Sequence, residues 1–369
     1  MSLENDKRIV MTLDAGGTNF VFSAIQGLKE IIEPVSMPAE GHILDRCLQN
    51  IIDGFTRIKE QLPEEPVAIS FAFPGPADYP NGIIGDLGNL PAFRGGIALG
   101  PMLEKHFKLP VFINNDGDLF AYGEALAGFL PEVNKKLEEH GNPKRFQNLV
   151  GFTLGTGFGA GFVHNGELFL GDNSGAAEVW LLSQKNNIIH NVEENISIRA
   201  IKRVYGEHAG IHYRQTPEPK DIFEIAIGQK EGNVFAAKES FNRFGEELGH
   251  ALANVITLID GLAVIGGGMS AAADLFLPAM FKELNRSFTS VDRKKYPRLV
   301  QKVFNLDDPE QMNTFIHGEI KTVKVPFYED SITYDPLPRI GVGISKLGAT
   351  KATSFGAYAY ALQQLNRKG

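Results

Sequence analysis

The sequence predicts an α/β protein with two domains, and three observations support this. The chain has 369 residues, which is too long for one ordinary core. Apolar runs typical of buried strands, such as VAISFAF at 67–73 and LAVI at 262–265, alternate with longer runs that have helical spacing. Two glycine-rich turns, about 140 residues apart, each join two strand-like runs. A protein of this class places its ligand groups where strands end.

The composition excludes several classes of function. The 36 Lys and Arg residues against 44 Asp and Glu residues give a net charge of -8 without a basic block, so we expect no nucleic-acid partner. The single cysteine, Cys47, leaves no intramolecular disulfide and no multi-thiolate zinc site. The start lacks an apolar signal segment and no run is long enough to span a membrane, so we expect a cytoplasmic protein without a membrane partner.

The first glycine-rich turn is DAGGTN at 14–19, between two apolar, β-branched runs. It joins strand to strand, whereas Walker loops and dinucleotide fingerprints lead from a strand into a helix. The backbone amides of Gly16, Gly17 and Thr18 can cradle phosphate oxygens, and we expect glycine here for its freedom at positive φ. The carboxylate of Asp14 suits magnesium or its water shell. A purely structural hairpin turn is the alternative.

An amphipathic helix is predicted over 43–62 because apolar residues recur there at helical spacing. The buried strand at 67–73 stops at the sequence PGPAD, and a loop rich in Gly and Pro runs through DLGNLPAF at 86–93. A loop in this place can carry polar groups to a ligand. Another helix is predicted over 97–107.

The stretch VFINNDGDLFAYGE at 111–124 carries the central carboxylate. A short apolar strand at 111–113 ends in a polar cluster, and a helix is predicted from Leu119. Asp116 therefore lies at a strand-to-helix junction, where a side chain can reach a bound molecule. The alternative is that Asn115 or Asp116 only caps the helix.

The second glycine-rich turn is GTGFG at 155–159, between LVGFTL and AGFV. It repeats the chemistry of the first turn, because Thr156, Gly157 and Gly159 offer amides and a hydroxyl between two strands. A strand follows it, so its likeness to a dinucleotide motif is weak. We expect a second phosphate grip here.

Three further features follow along the chain. A long amphipathic helix over 234–258 leads into the strand LAVIGGGMS, where Gly267 and Gly268 let a flat ring approach the backbone. Glu178 is a candidate ligand after a Gly- and Ala-rich approach, and a solvated Glu is the alternative. The run SFGAYAYALQQL at 354–365 predicts a helix of small residues that can pack tightly.

In their order along the chain these motifs resemble the ROK family of sugar kinases and repressors, within the actin/hexokinase-like superfamily. The match runs from LDAGGTNF through FAFPGPAD, LGNLPAF, NNDGD, TLGTGFGAGF and VIGGGMS to GAYAYAL. The resemblance implies two actin/hexokinase-like (ribonuclease H-like) α/β domains with an ATP and sugar cleft between them. It divides the chain into a small domain of 1–122 with the helix 354–369, and a larger domain of 123–353.

The resemblance also implies ATP and Mg²⁺ as cofactors and a homodimer as the assembly. The residues it implies for phosphate binding are Asp14 (near Mg²⁺), Gly16, Gly17 and Thr18 on one side and Thr156, Gly157 and Gly159 on the other. The residues it implies for adenosine are Gly267 and Gly268, and those for sugar are Gly75, Asn89, Asn115, Asp116 and Glu178. Asp116 matches the catalytic base of the family.

The chain departs from the family pattern in several places. The family's E-x-G-H sugar and zinc motif reads EVWL at 178–181, and the Cys-rich zinc loop that should follow is absent. We therefore expect no structural zinc, with an apolar replacement from Trp180, Leu181 and Leu182. The region 283–335 is longer than in the family. About seven residues precede the first strand, too few for the helix-turn-helix of repressor members.

The interpretation is an ATP-dependent sugar kinase. Asp116 would accept the proton of a sugar hydroxyl, the 6-hydroxyl of a hexose or N-acetylhexosamine, as it attacks the γ-phosphorus. Two alternatives stay open. One is a sugar-sensing protein without turnover, because the His and the zinc loop are missing. The other is a non-sugar phosphotransferase or an ATPase of the same superfamily.

Overall fold

The structure is a computed structural model that describes residues 3–88, 90–184, 187 and 189–368. It is a mixed α/β protein, as the sequence predicts. The chain folds into two compact units that each use several segments. Unit 1 comprises Met1–Gly128, Gly161–Ala177 and Leu347–Gly369, and unit 2 comprises Phe129–Ala160 and Glu178–Lys346. The division of the chain at 122/123, as domains that fold by themselves, stays a prediction.

The helices and strands of the described residues are numbered in chain order. The helices are α1 Leu44–Gln61, α2 Leu99–Phe107, α3 Asp116–Ala127, α4 Phe129–Glu139, α5 Ile198–Ala209, α6 Pro219–Ala226, α7 Val234–Ile259, α8 Ala273–Leu284, α9 Pro309–His317 and α10 Ala349–Lys368. The strands are β1 Val10–Ala15, β2 Asn19–Gln26, β3 Lys29–Glu30, β4 Val35–Pro38, β5 Ala68–Ala72, β6 Ala77–Asp78, β7 Ile83–Ile84, β8 Val111–Asn114, β9 Leu149–Leu154, β10 Phe158–His164, β11 Glu167–Leu168, β12 Leu262–Gly266, β13 Ser287–Thr289, β14 Lys295–Pro297, β15 Lys302–Asn305, β16 Lys321–Lys324, β17 Ser331–Tyr334 and β18 Arg339–Ile344.

The main sheet of unit 1 has the order β3-β2-β1-β5-β8, with β4 paired to β2. Strands β1 and β2 form the predicted antiparallel hairpin, and β1, β5 and β8 run parallel. The second sheet has the order β11-β10-β9-β12-β18-β15, and its strands β9, β12, β18 and β15, which run parallel, belong to unit 2. Each sheet thus sets a tight strand-turn-strand pair beside parallel strands, which agrees with the two related domains that the resemblance implies.

Helices cover both faces of the unit 1 sheet. Side chains alternate between the faces of a strand, so Met11 and Leu13 of β1 pack in the core that contains α1, while Val10 packs against Tyr358 of α10. The predicted small-residue helix is part of α10, which lies against α3. A Cβ at Gly356 would overlap the carbonyl oxygen of Leu119, so only glycine allows this close approach.

Some elements differ from the sequence predictions. Helix α3 begins at Asp116 and not at Leu119. The charged stretch at 131–147 contains most of α4. Strand β18, which lies between β12 and β15, was not predicted. Among the helices of the described residues, none is long and apolar enough to cross a membrane.

Candidate functional site

The carboxyl ends of three parallel strands lie side by side in unit 1. Asp14 near the end of β1 is in register with Ala72 of β5, and Ala72 is in register with Asn114 of β8. Asp116 follows β8 directly as the first residue of α3. The predicted strand-to-helix junction is therefore present, and Asp14 and Asp116 lie at the same edge of the sheet.

The turn into α3 fixes the position of Asp116. The Asn115 side chain is the N-cap and its Oδ1 accepts a hydrogen bond of 2.8 Å from the Gly117 amide. Asp116 Oδ1 accepts from the same amide at 2.9 Å. Asn115 therefore caps α3, and the cap also orients the neighbouring carboxylate; whether Asn115 also binds a ligand stays a prediction.

A cavity of about 460 Å³ lies over these strand ends, within the range of small-molecule sites. Four parts of unit 1 line it: the end of β1, the PG segment after β5, the start of α3 and the first turns of α10. The lining residues are Thr12, Leu13, Asp14, Ala15, Ala72, Phe73, Pro74, Gly75, Asn115, Asp116, Ala349, Thr350, Thr353, Ser354 and Ala357. Of the predicted site residues, the cavity brings together Asp14, Gly75, Asn115 and Asp116.

The two carboxylates of the cavity have shifted pKa values. Burial raises the pKa of Asp116, although hydrogen bonds from the Gly117 amide and its own amide oppose this. Burial also raises the pKa of Asp14, and the negative charge of Asp116 raises it further. Both side chains are nevertheless open to the cavity. Water and ligands can therefore reach two carboxylates that the surrounding protein makes more basic than usual.

Helix α10 contributes hydroxyl groups that the sequence reasoning missed. Thr350, Thr353 and Ser354 line the cavity from its first turns. Their spacing of three and four residues places them on one helix face. The signal was present in the sequence as GATKATS at 348–354, where hydroxyl residues recur at helical spacing.

The first glycine-rich turn is open to solvent at residues 16–19. The expectation of positive φ was wrong here, because neither Gly16 nor Gly17 has it. Gly16 is required for another reason, since a Cβ there would lie 2.8 Å from the carbonyl oxygen of Asn19. A Cβ on Gly17 would meet nothing within 4 Å. The space above Gly17 and the exposed Thr18 is therefore free for a ligand.

Two loops of unit 1 were predicted to bear sugar ligands. Gly75 lines the cavity, and the Tyr79 hydroxyl donates a 3.0 Å hydrogen bond to the Phe73 carbonyl beneath it. Asn89 lies outside the described residues. On either side of it, Leu87 and Leu90 are buried and anchor this loop in the core of unit 1.

The second glycine-rich turn, in unit 2, is closed by a hydrogen bond from the Gly155 amide to the Gly157 carbonyl. Glu193 Oε2 accepts from the Phe158 amide at 3.0 Å, and Arg199 Nη2 lies 3.0 Å from Glu193 Oε1. Arg199 Nη1 also donates to the Thr156 carbonyl. Glu193 and Arg199 therefore brace the turn, and the sequence analysis gave neither a role.

Gly267 follows β12, which runs parallel to β9, so it lies at the sheet edge where the second glycine-rich turn begins. Its φ of 90° suits glycine alone, and a Cβ there would meet the backbone of Leu154 at the end of β9. A Cβ on Gly268 would meet nothing within 4 Å. The end of β12 therefore offers bare backbone beside the turn that follows β9.

Glu178 opens a short helical turn in unit 2, where its Oε2 accepts a hydrogen bond from Trp180 Nε1. The expected apolar replacement of the zinc is wrong, because Leu181 is 59% exposed and Trp180 is 36% exposed. Hydrogen bonds hold this segment instead. The Val192 amide donates to the Leu182 carbonyl at 2.8 Å, and buried Gln184 Nε2 donates to the Asn191 carbonyl at 2.8 Å.

The described residues contain no group of three or more His, Cys, Asp and Glu side chains that could hold a metal ion. A magnesium ion brought by a nucleotide needs fewer protein ligands, because phosphates and water supply the others. The Asp14 carboxylate, open to the cavity beside Asp116, is an oxygen donor of the kind that Mg²⁺ prefers. The unit 1 site therefore fits a nucleotide-bound Mg²⁺.

Comparison with known proteins gives this chain a family and a fold. The ROK family model matches residues 10–307. A crystal structure of a glucokinase from Parabacteroides distasonis is 55% identical in sequence, with a TM-score of 0.90 over 98% of this chain and 99% of that one.

Curated relatives are more distant in sequence. An N-acetyl-D-glucosamine kinase from Vibrio cholerae is 28% identical over 307 residues, which are 78% of this chain and 92% of the relative. A glucokinase from Thermotoga maritima is 26% identical over 283 residues, which are 71% of this chain and 83% of the relative. The similarity thus extends over most of each protein.

Proposed function

The chain belongs to the ROK family and has the actin/hexokinase-like fold, and on this premise we propose that it is an ATP-dependent sugar kinase. The relatives named as kinases act on glucose or on N-acetyl-D-glucosamine, as their names state. The proposed reaction transfers the γ-phosphoryl group of ATP to a hydroxyl of a hexose or N-acetylhexosamine.

One observation carries the proposal. Asp116 stands open in a cavity at the ends of three parallel strands, and the protein around it raises the pKa of its carboxyl. A general base works best when its pKa approaches the working pH, so this placement suits proton abstraction from a sugar hydroxyl. A residue that only capped the helix would not require this cavity.

The chain's residues divide the work in the proposed mechanism. Asp116 accepts the proton of the attacking hydroxyl, and the Asn115 cap holds the turn that positions it. Gly75 lines the sugar side of the same cavity. We assign the hydroxyl to C6, because Glu178 would accept hydrogen bonds from hydroxyls near the anomeric end. Asn89 completes the proposed sugar ligands.

The proposed contacts to the phosphates and the adenosine come mainly from backbone groups at glycine residues. In unit 1, Gly16, Gly17 and Thr18 would donate amides to phosphate oxygens, since Gly17 has open space above it. In unit 2, we assign the same role to Thr156, Gly157 and Gly159, and the adenosine contact to Gly267 and Gly268. Asp14 would hold Mg²⁺, which neutralises charge on the phosphates during transfer.

An ADP-release assay over a sugar panel tests the proposal. The panel comprises glucose, mannose, fructose, allose, N-acetylglucosamine and N-acetylmannosamine. Glucose is the first sugar to test, because the glucokinase at 55% identity is much more similar than the N-acetyl-D-glucosamine kinases. Because Leu181 stands where the family has a His that grips the sugar, we expect broader tolerance at C1 or C2 than in a zinc-bearing relative. Position 6 is tested with 6-deoxyglucose, which should be inert.

The sugar-sensing alternative predicts a different result. It is favoured by the missing His and zinc loop alone. If calorimetry shows ATP and sugar binding while no sugar on the panel stimulates ADP release, the result supports a sugar sensor and contradicts the kinase proposal. ADP release without any sugar would instead favour an ATPase.

A further inference from the structure

A two-stranded hairpin of unit 2, formed by β16 and β17, exposes apolar side chains to solvent. All eight residues of its strands are exposed, among them Val323 at 45%, Ile332 at 58% and Tyr334 at 41%. Phe327 and Tyr328 in the connecting turn are 104% and 70% exposed. The hairpin lies outside residues 10–307, which the family model matches. The proposed kinase reaction therefore assigns it no role.

The two faces of the hairpin differ in chemistry. The register pairs Val323 with Ile332 and Lys321 with Tyr334, and side chains of paired residues share a face. Because side chains alternate along a strand, Val325 and Asp330 belong to this face too, since the Val325 amide donates to the Asp330 carbonyl. The face is thus apolar in its middle, with a Lys at its base and an Asp near its tip.

The opposite face is polar. It carries two pairs, Thr322 with Thr333 and Lys324 with Ser331, and the two Thr hydroxyls lie 3.0 Å apart. Water suits this face, whereas no element of the described residues covers the apolar face, whose strand residues are exposed.

A buried ion pair fixes the base of the hairpin. Asp335 Oδ2 lies 2.5 Å from Arg339 Nη1, and both side chains are 0% exposed. Asp335 Oδ1 accepts from the amides of Glu319, before β16, and Leu337, after β17. Both strands are therefore tied at one point, so the hairpin is ordered before any partner arrives, which lowers the entropy cost of binding.

We propose that the apolar face of this hairpin docks on the same face of a second copy of this chain. A two-fold axis across the strands would stack Ile332 on Ile332 and bring the base of each hairpin to the tip of the other. Lys321 of one copy then lies at the same end as Asp330 of the other. An axis along the strands would instead bring Lys321 near Lys321, and like charges oppose that arrangement.

The charge pattern favours a second copy over an unrelated partner. Lys321 and Asp330 lie on the same face, so two copies can form an ion pair at each end of the contact. Within one chain Lys321 lies 3.8 Å from Glu319, but this exposed pair contributes little and leaves the Lys available. The face is smaller than a standard interface of about 800 Å² per partner, so we expect a dissociation constant on the order of tens of micromolar. The proposal is independent of the kinase function.

Sedimentation velocity of the full chain, over concentrations on both sides of this value, tests the proposal. The Ile332→Lys variant should weaken association by more than about tenfold, because it places two ammonium groups on the axis. The matched control is Thr333→Lys, which adds the same charge to the polar face and should associate as the wild type does. Circular dichroism and the melting temperature verify that both variants are folded. If the predicted homodimer uses another surface, each dimer carries two hairpins, so the hairpin contact adds further copies as a closed tetramer or an open chain. The difference in mass from Ile332→Lys is still the readout.

A charge exchange tests the two-fold geometry. Lys321→Glu and Asp330→Lys should each associate more weakly than the wild type, because each brings like charges together at both ends. An equal mixture of the two variants should associate again, since a mixed pair has opposite charges at each end. Lys324→Glu on the polar face is the control and should have no effect. Equal masses for wild type and Ile332→Lys at every concentration would overturn the proposal, and a mixture that stays dissociated would overturn its geometry.

Discussion

The carboxylate of Asp116 faces the cavity and accepts hydrogen bonds from two backbone amides. Burial by the surrounding protein nevertheless raises its pKa. Asp116→Asn should lower kcat by about 10²- to 10⁴-fold, because an amide keeps the shape but cannot accept the proton. Sugar binding, measured by calorimetry, should be retained. Near-wild-type turnover would show that Asp116 is not the base. In the wild type, the raised pKa should move the acidic limb of the kcat/KM profile to higher pH.

The same substitution should stabilise the fold at neutral pH. A carboxyl whose pKa is raised on folding binds more protons in the native state, so its charge costs stability once the pH exceeds the unfolded value of about 3.9. Removing the charge removes that cost. The melting temperature of Asp116→Asn should exceed that of the wild type at pH 7, and the difference should shrink as the pH falls towards 4. A variant less stable than the wild type at pH 7 would contradict this.

Asp335 differs from Asp116 because its pKa is lowered and not raised. Burial alone would raise its pKa, but hydrogen bonds from Asn142, the Glu319 amide and Arg339 lower the pKa overall. Asp335→Asn leaves the Arg339 guanidinium buried without its charge partner, which should cost about 3–5 kcal/mol of unfolding free energy. Urea denaturation measures this loss. Asp292→Asn is the control, because its side chain is 58% exposed, and it should be close to neutral.

At the scale of elements, a substitution in the first glycine-rich turn can test ligand binding without changing the stability of the fold. Gly17→Val should weaken ATP binding without loss of stability, because the added carbons enter empty space where phosphate is proposed to bind. Gly267→Val is the contrasting variant and should destabilise the protein, since Gly267 has a φ of 90° and touches the backbone of Leu154. Nucleotide titration and thermal melting distinguish them. Unchanged ATP affinity in Gly17→Val would show that DAGGTN is only a hairpin turn.

Elements with clear apolar patterns were predictable from the sequence, whereas strand β18 and the first turn of α3 were not. Helix α1 and strand β5 follow their apolar patterns closely. Strand β18, RIGVGI, was missed because Gly341 and Gly343 interrupt its apolar run. Gly341 faces the side chain of Leu306, so its small size serves packing between neighbours that sequence does not reveal. Helix α3 was started too late because its first residues are acidic and resemble a turn.

The candidate site was predictable where a strand end carries the ligand group. Asp14 and Asp116 were found because their strands end in polar residues. The hydroxyls of α10 were missed because they enter the cavity from a helix more than 200 residues away in sequence. Glu193 was missed because its partner, the Phe158 amide, is a contact that only the fold creates. Long-range packing therefore hid the hydroxyl groups of α10 and the contact between Glu193 and the second glycine-rich turn.

At the scale of the whole molecule, we expect a protein that needs no zinc to fold. After the sequence EVWL, which replaces the family's zinc motif, hydrogen bonds from Gln184 to Asn191 and from Val192 to Leu182 hold the chain together. Dialysis against a strong chelator should leave the melting temperature unchanged, whereas a structural zinc contributes directly to folding. Metal analysis of the purified protein should find no stoichiometric zinc. One equivalent of zinc, or unfolding by the chelator, would contradict this.

Helix α10 is made after the last segment of unit 2, yet it covers one face of the unit 1 sheet, whose strands are made much earlier. While the nascent chain still lacks it, Val10, Ile25 and Ala68 have no apolar cover on that face. We expect unit 1 to stay sensitive to protease, and to recruit chaperones, until α10 has been made, while unit 2 can fold earlier because its segments are complete by Lys346. Pulse proteolysis of ribosome-stalled chains, with a flexible linker after Lys346 that is long enough to bring unit 2 out of the exit tunnel, should cleave unit 1 and spare unit 2.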